Sequence, residues 1–268
     1  MVNLHVHTWR CGHATGTAVE MAAAAHRAGV SILGFAEHGP LPVELDDWRL
    51  DITEFPAYVA EVEEARARFP DMTILLGLEA DYIPEYADFV REFASQDVFD
   101  YVIGSVHYIG GWNFDHEDLV DEWDSRDPIE VYRTYLGLVR EAARLGAFQI
   151  IGHLDLPKKF GHHMPEAVWP DLEETLRVIR EEGLAIELNT AGLRGVAGEP
   201  YPSERILRRA IELGIPITLG SDAHRPEDVA AGLRWAGARL RALGADRIVS
   251  FQQRKQVSVP LAEMVQEE

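Results

Sequence analysis

His5 and His7 stand two residues apart, so on an extended strand both imidazoles project to the same side and can reach one ion. Similar groups recur where short apolar runs end: Glu37-His38, Glu79-Ala80-Asp81, His107, Gly152-His153-Leu154-Asp155 and Ser221-Asp222-Ala223-His224, with His13 shortly after the first run. A single His-x-His pair is as often a hydrogen-bonded structural pair as a metal site. Nine groups in one pocket (His5, His7, His13, His38, Glu79, His107, His153, Asp222 and His224) would leave many ring nitrogens competing for few partners unless metal satisfied them. So large a set exceeds what one ion uses and points to two or three ions, with a carboxylate bridging a pair. Mixed imidazole and carboxylate donors suit zinc, manganese or iron, whereas calcium and magnesium prefer oxygen alone.

What must position these groups is an alternation of short apolar runs and longer helical stretches. Strands are expected over residues 2–6, 31–36, 73–78, 101–106, 148–152, 184–188 and 216–219, with an eighth, less regular run over 247–251. Helical spacing falls between them. Thr17 can cap an alanine-rich helix ending at Gly29, and further helices are expected over 54–69, 84–95, 128–145, 170–182, 203–213 and 226–243. Alternation of this kind means parallel strands joined by helical crossovers. Neither G-x-G-x-x-G after the first strand nor G-x-x-x-x-G-K-[ST] occurs, so an open nucleotide-binding sheet has no support. A closed (β/α) barrel remains, one domain over residues 1–268, and it gathers all its strand C-termini on a single face.

Composition narrows the partners. The 268 residues carry a formal net charge of −20, too acidic for a broad electrostatic grip on nucleic acid. No apolar run is long enough to span a membrane, and the opening residues lack the apolar core of a signal peptide. The single cysteine, Cys11, rules out an internal disulfide, and the expected location is the cytoplasm. A homodimer is left open.

The segments His5-Val6-His7-Thr8, Glu37-His38, Gly152-His153-Leu154-Asp155 and Ser221-Asp222-Ala223-His224 resemble the four motifs of the PHP (polymerase and histidinol phosphatase) superfamily of metal-dependent phosphoesterases. The order and spacing hold over nearly the whole chain. This resemblance implies a distorted (β/α)7 TIM-like barrel with a trinuclear metal site, in which the eighth run is a tail strand rather than a stave. It assigns His5, His7, Glu79 and Asp222 to one metal, bridging Glu79 with His107 and His153 to a second, and His13, His38 and His224 to a third. Gly104-Ser105-Val106-His107-Tyr108, Gly111-Trp112-Asn113-Phe114-Asp115, Lys158-Lys159-Phe160 and Glu187-Leu188-Asn189-Thr190-Ala191-Gly192-Leu193-Arg194 look like the stand-alone histidinol-phosphate phosphatases of that superfamily.

The expected reaction is hydrolysis of a small phosphate monoester, L-histidinol phosphate, by a hydroxide bridging two metals. Three divalent ions would leave the pocket at about +3, a local attractor for a phosphate dianion. Arg194 is expected to clamp the phosphate with its planar fork, with Arg225 and Lys158 as further cations. Asp155, His224 or a metal-bound water could protonate the leaving alkoxide. Trp112, Phe114, Asp115, Glu117 and Asp118 share a long loop where an imidazole and an ammonium could be recognised. The rival reading is a PHP phosphoesterase or exonuclease acting on nucleotides or single-stranded nucleic acid. A second rival is a non-catalytic metal-binding module. His26, near a helix C-terminus, is expected to be structural, His116, His162 and His163 to lie at the surface, and Cys11 to be an inert bystander.

Overall fold

The apolar runs become parallel strands of a nearly closed barrel in a computed structural model that describes residues 1–264. In chain order the strands are β1 (Val2–Asn3), β2 (Ile32–His38), β3 (Thr73–Asp81), β4 (Tyr101–Ser105), β5 (Tyr108–Ile109), β6 (Trp112–Asn113), β7 (Ile150–Ile151), β8 (Ala185–Asn189), β9 (Ile217–Gly220), β10 (Arg247–Gln252) and β11 (Lys255–Pro260). Seven of them form one sheet in the order β1-β2-β3-β4-β7-β8-β9, every pair parallel. β1 meets β9 across the seam: Leu4 N donates to Leu219 O at 2.8 Å, Asp222 N to His5 O at 2.9 Å and His7 N to Ala223 O at 3.0 Å. Nearly every residue of β2, β3 and β4 is buried, as expected of parallel strands covered on both faces.

Around the sheet run α1 (Ala18–Arg27), α2 (Phe55–Arg68), α3 (Ala87–Ala94), α4 (Pro128–Arg144), α5 (Trp169–Glu181), α6 (Glu204–Glu212) and α7 (Leu233–Ala242). Thr17 caps α1 through a reciprocal box with Glu20, and Asp127 caps α4 immediately before Pro128. The continuous helix expected over 226–243 is a correction. A 3-10 turn at Pro226–Asp228 is separated from α7 by Gly232, whose φ of +74° no helix interior tolerates.

Outside the barrel, β10 pairs antiparallel with β11, so the eighth run is one arm of a tail hairpin. Phe251 stacks on Tyr101 at 6.1 Å, and Arg254 N donates to Asp100 O at 2.7 Å. The hairpin therefore covers the barrel end where β4 begins, leaving the opposite end free. The β5–β6 hairpin stands at that free end, directly after β4.

Candidate metal centre

All nine groups singled out from the sequence arrive at the C-terminal ends of the strands. His38 ends β2, Glu79 lies near the end of β3, His107 follows β4, His153 follows β7, and Asp222 and His224 follow β9. Seven of them form the floor and rim of a cavity of about 550 Å³, walled by Asp47, Trp48, Asp115, Glu117, Asp118, Lys159, Arg194 and Tyr201, with His5 and His7 fully buried against that floor.

Ligand-bearing atoms converge in five overlapping triads among the described residues, two of which include Cys11. His5, His7 and Asp222 offer atoms within 4.8 Å of one another, as do Glu79, His107 and His153, and His7, His38 and His224. His13, more exposed, lies with its ring 4.4 Å from the His224 ring and tilted 38° to it. At the floor, Glu79 Oε2 is 3.0 Å from His38 Nδ1, 3.3 Å from His5 Nε2 and 3.5 Å from His7 Nε2. Yet Glu79 Oε2, His5 Nε2, His7 Nε2, His38 Nδ1 and His224 Nε2 are all buried without a hydrogen-bond partner. Buried polar atoms are seldom left so. Donor atoms facing one another at 3.0–3.5 Å without a hydrogen bond are what a divalent ion would satisfy, so the residues present fit metal.

The far side of several rings is fixed by carboxylates. His5 Nδ1 shares a 2.7 Å hydrogen bond with Glu187, His7 Nδ1 lies 3.3 Å from Glu37, and His107 Nδ1 is 2.6 Å from Asp81. Such partners set the tautomer and aim the other nitrogen inward. Glu187 reaches His5 only because residue 220 is glycine: a Cβ there would fall 1.9 Å from Glu187 Oε1. Asp222 has φ +52°, a left-handed conformation uncommon outside glycine, which aspartate tolerates better than most residues. Asn189 Nδ2 donates to its Oδ2 at 3.1 Å.

Charge is divided among the rings. Burial opposes protonation of His7, but the facing carboxylates of Asp222 and Glu37 outweigh it and raise its pKa to about 9. Burial likewise opposes charge on His107, and Asp81 overrides it, to about 10. His38 and His224 go the other way, held well below the usual imidazole value by burial and by the nearby His7. Burial works against ionised Glu79 and Asp222, yet the surrounding imidazoles keep both well below the ordinary carboxylate range.

Five residues expected at the substrate lie outside the cavity lining, Phe114 among them as a buried core side chain. Trp112 packs 5.1 Å from Trp123 beneath the Arg126 guanidinium, a core position. The Lys158 ammonium is consumed internally by Asp155 at 2.8 Å, Glu199 at 3.1 Å and Pro200 O at 2.7 Å. Asp155 Oδ2 also accepts from Ser203 N at 2.9 Å, so the expected proton donor is a loop anchor. Arg225 is exposed on extended backbone ahead of the Pro226–Asp228 turn. The cavity does take Arg194, whose Nη2 donates to Ser221 O at 2.8 Å and so also steadies the segment bearing Asp222. Asp115, Glu117 and His224 line it too. Sequence reading gave no substrate role to Lys159, which lines the cavity and donates to Asp115 Oδ2 at 3.1 Å, nor to Asp47 and Trp48, and it expected at the surface His116, which also lines the cavity. It also gave no role to Glu37, Asp81 or Glu187; the available signal was a carboxylate inside an otherwise apolar strand.

The PHP domain family model matches residues 3–191. The chain belongs to the PHP domain family. Among relatives of this PHP chain, a probable histidinol-phosphatase of Deinococcus radiodurans is 46% identical over 255 residues, covering 94% of this chain and 96% of that protein. A histidinol-phosphatase of Bacillus subtilis is 29% identical over 251 residues, covering 84% and 94%. Among solved structures, the histidinol phosphate phosphatase of Lactococcus lactis, complexed with zinc, L-histidinol and phosphate, superposes with a TM-score of 0.81. It is 22% identical, with 96% of this PHP chain and 98% of that chain covered, and it supports the barrel fold.

Proposed function

We infer that this PHP chain is a metal-dependent phosphomonoesterase that hydrolyses L-histidinol phosphate to L-histidinol and phosphate. The observation that carries the reading is the 46% identity, over nearly the full length of both chains, to a relative bearing that name. The orphaned donor atoms on the cavity floor support it independently.

In this reading His5, His7, Glu79 and Asp222 hold one ion, Glu79, His107 and His153 a second, and His13, His38 and His224 a third, the ions being zinc, iron or manganese. Bound divalent ions supply Lewis acidity and bring a water to hydroxide near neutral pH. The chain does the rest. Glu37, Asp81 and Glu187 aim the rings, and Arg194 at the wall offers its fork to the phosphate oxygens. Asp115, Glu117 and Asp118 line the cavity and suit a primary ammonium. Neither protein group considered for protonating the leaving alkoxide is free to do so in this reading: Asp155 is tied to Lys158, and His224 borders the cavity but is taken by the third ion and held below the usual imidazole value. The lone cysteine supports the cytoplasm as the place of action.

Phosphate release from L-histidinol phosphate, followed before chelation, after it and after return of zinc or manganese, tests this. Activity should vanish with the ions and return with them. Undiminished hydrolysis by chelated, metal-free protein would refute the reading.

A further inference from the structure

Arg49 belongs to the loop over residues 39–50 that follows β2, and neither ligation nor substrate contact accounts for it. Its side chain is only 7% exposed. Nε donates to Asp46 Oδ2 at 2.8 Å, and Nη1 lies 2.7 Å from Asp81 Oδ2. The guanidinium stands 4.3 Å from the Trp48 ring and 5.7 Å from that of Tyr108. Tyr108 donates its hydroxyl to Asp46 Oδ2 at 2.5 Å. One side chain thus ties this loop both to the end of β3 and to the β5–β6 hairpin.

Asp81 gives that tie a direction. Its Oδ1 holds His107 Nδ1 at 2.6 Å, which leaves His107 Nε2 facing Glu79 Oε1 at 3.7 Å, beside His153 Nε2 at 2.9 Å from the same oxygen. A carboxylate with one anchored oxygen can still turn about its soft terminal torsion. Arg49 pairs with the other oxygen as a buried ion pair at 2.7 Å, so the His107 ring inherits its orientation from a loop residue two contacts away. Trp48 is set by the same stack and stands edge-on to His38 at 4.7 Å and His107 at 5.6 Å.

We propose that Arg49 is a positioning residue for the ion held by Glu79, His107 and His153: through Asp81 it orients His107, and through Trp48 it braces the cavity wall. This rests on the reading that those three residues hold metal. Lysine would keep the charge but could not hold Asp46 and Asp81 together in one planar fork.

The test is zinc titration against a chromophoric chelator for the parent, Arg49→Met and Arg49→Lys, with thermal melts and steady-state kinetics alongside. Arg49→Met should weaken one zinc by about 10–100-fold, spare the others, and lower kcat more than it raises KM. Arg49→Lys should fall between Met and the parent. The proposal is overturned if Arg49→Met binds every zinc like the parent, if all zincs weaken alike, or if Lys performs no better than Met. Should Arg49→Met fail to fold, Arg49→Lys decides: one zinc selectively weakened supports the proposal, and parental binding overturns it. A parent that binds no zinc would remove the metal reading itself, an outcome distinct from a parent that binds zinc indifferently to residue 49.

Discussion

His38 Nδ1 is 3.0 Å from Glu79 Oε2 with no hydrogen bond between them. Deleting the imidazole should therefore remove metal-binding capacity while leaving the end of β2 in register. His38→Ala is expected to melt cooperatively and to lose at least about 100-fold in kcat/KM; a folded variant with parental turnover would contradict the ligand assignment. A second consequence follows from the two rings whose charge carboxylates favour. With pKa values of about 9 and about 10, His7 and His107 carry protons near neutral pH that an incoming ion must displace. Metal loading of chelated protein should release protons into weakly buffered solution, and affinity should fall as pH drops, since protons then compete harder. Titration calorimetry in buffers of different ionisation enthalpy counts those protons; zero release would mean that these two rings are not ligands. At this scale the clustering of the nine groups was legible in the sequence because histidine and carboxylate recur at strand ends. Asp155 and Lys158 were misjudged because nothing in their order reveals that they neutralise each other behind the cavity.

The seven staves could be read as apolar runs because a parallel strand covered on both faces has little reason to be polar. Their ends were less legible. β3 continues to Asp81, past the expected end at residue 78, since the polar residues beyond it face the site rather than solvent. The hairpins were opaque for a different reason. β5 and β6 are two residues each, and β11 is mostly exposed. Trp112 belongs to this scale, because its loop is held by the packing of Trp112, Phe114 and Trp123 while the neighbouring carboxylates reach the cavity. Trp112→Ala should cost about 3–5 kcal/mol of stability, measured by urea unfolding, with KM for the phosphate ester changed far less than the unfolding midpoint. A raised KM at unchanged stability would return Trp112 to the substrate.

Across the whole molecule, a chain of net charge −20 carries a histidine-lined pocket with acidic residues on its wall. Loaded with divalent ions, the floor becomes the strongest positive feature of an otherwise repellent surface, which favours a small phosphate over a polyanion. Carboxylates above a cationic floor further favour a phosphate ester that also bears an ammonium. The deciding measurement is kcat/KM for L-histidinol phosphate beside an aryl phosphate and a short single-stranded oligonucleotide, all with the same metal-loaded protein. A large preference for L-histidinol phosphate is the predicted result. Equal, slow release from both small esters, or cleavage of the oligonucleotide alone, would contradict it.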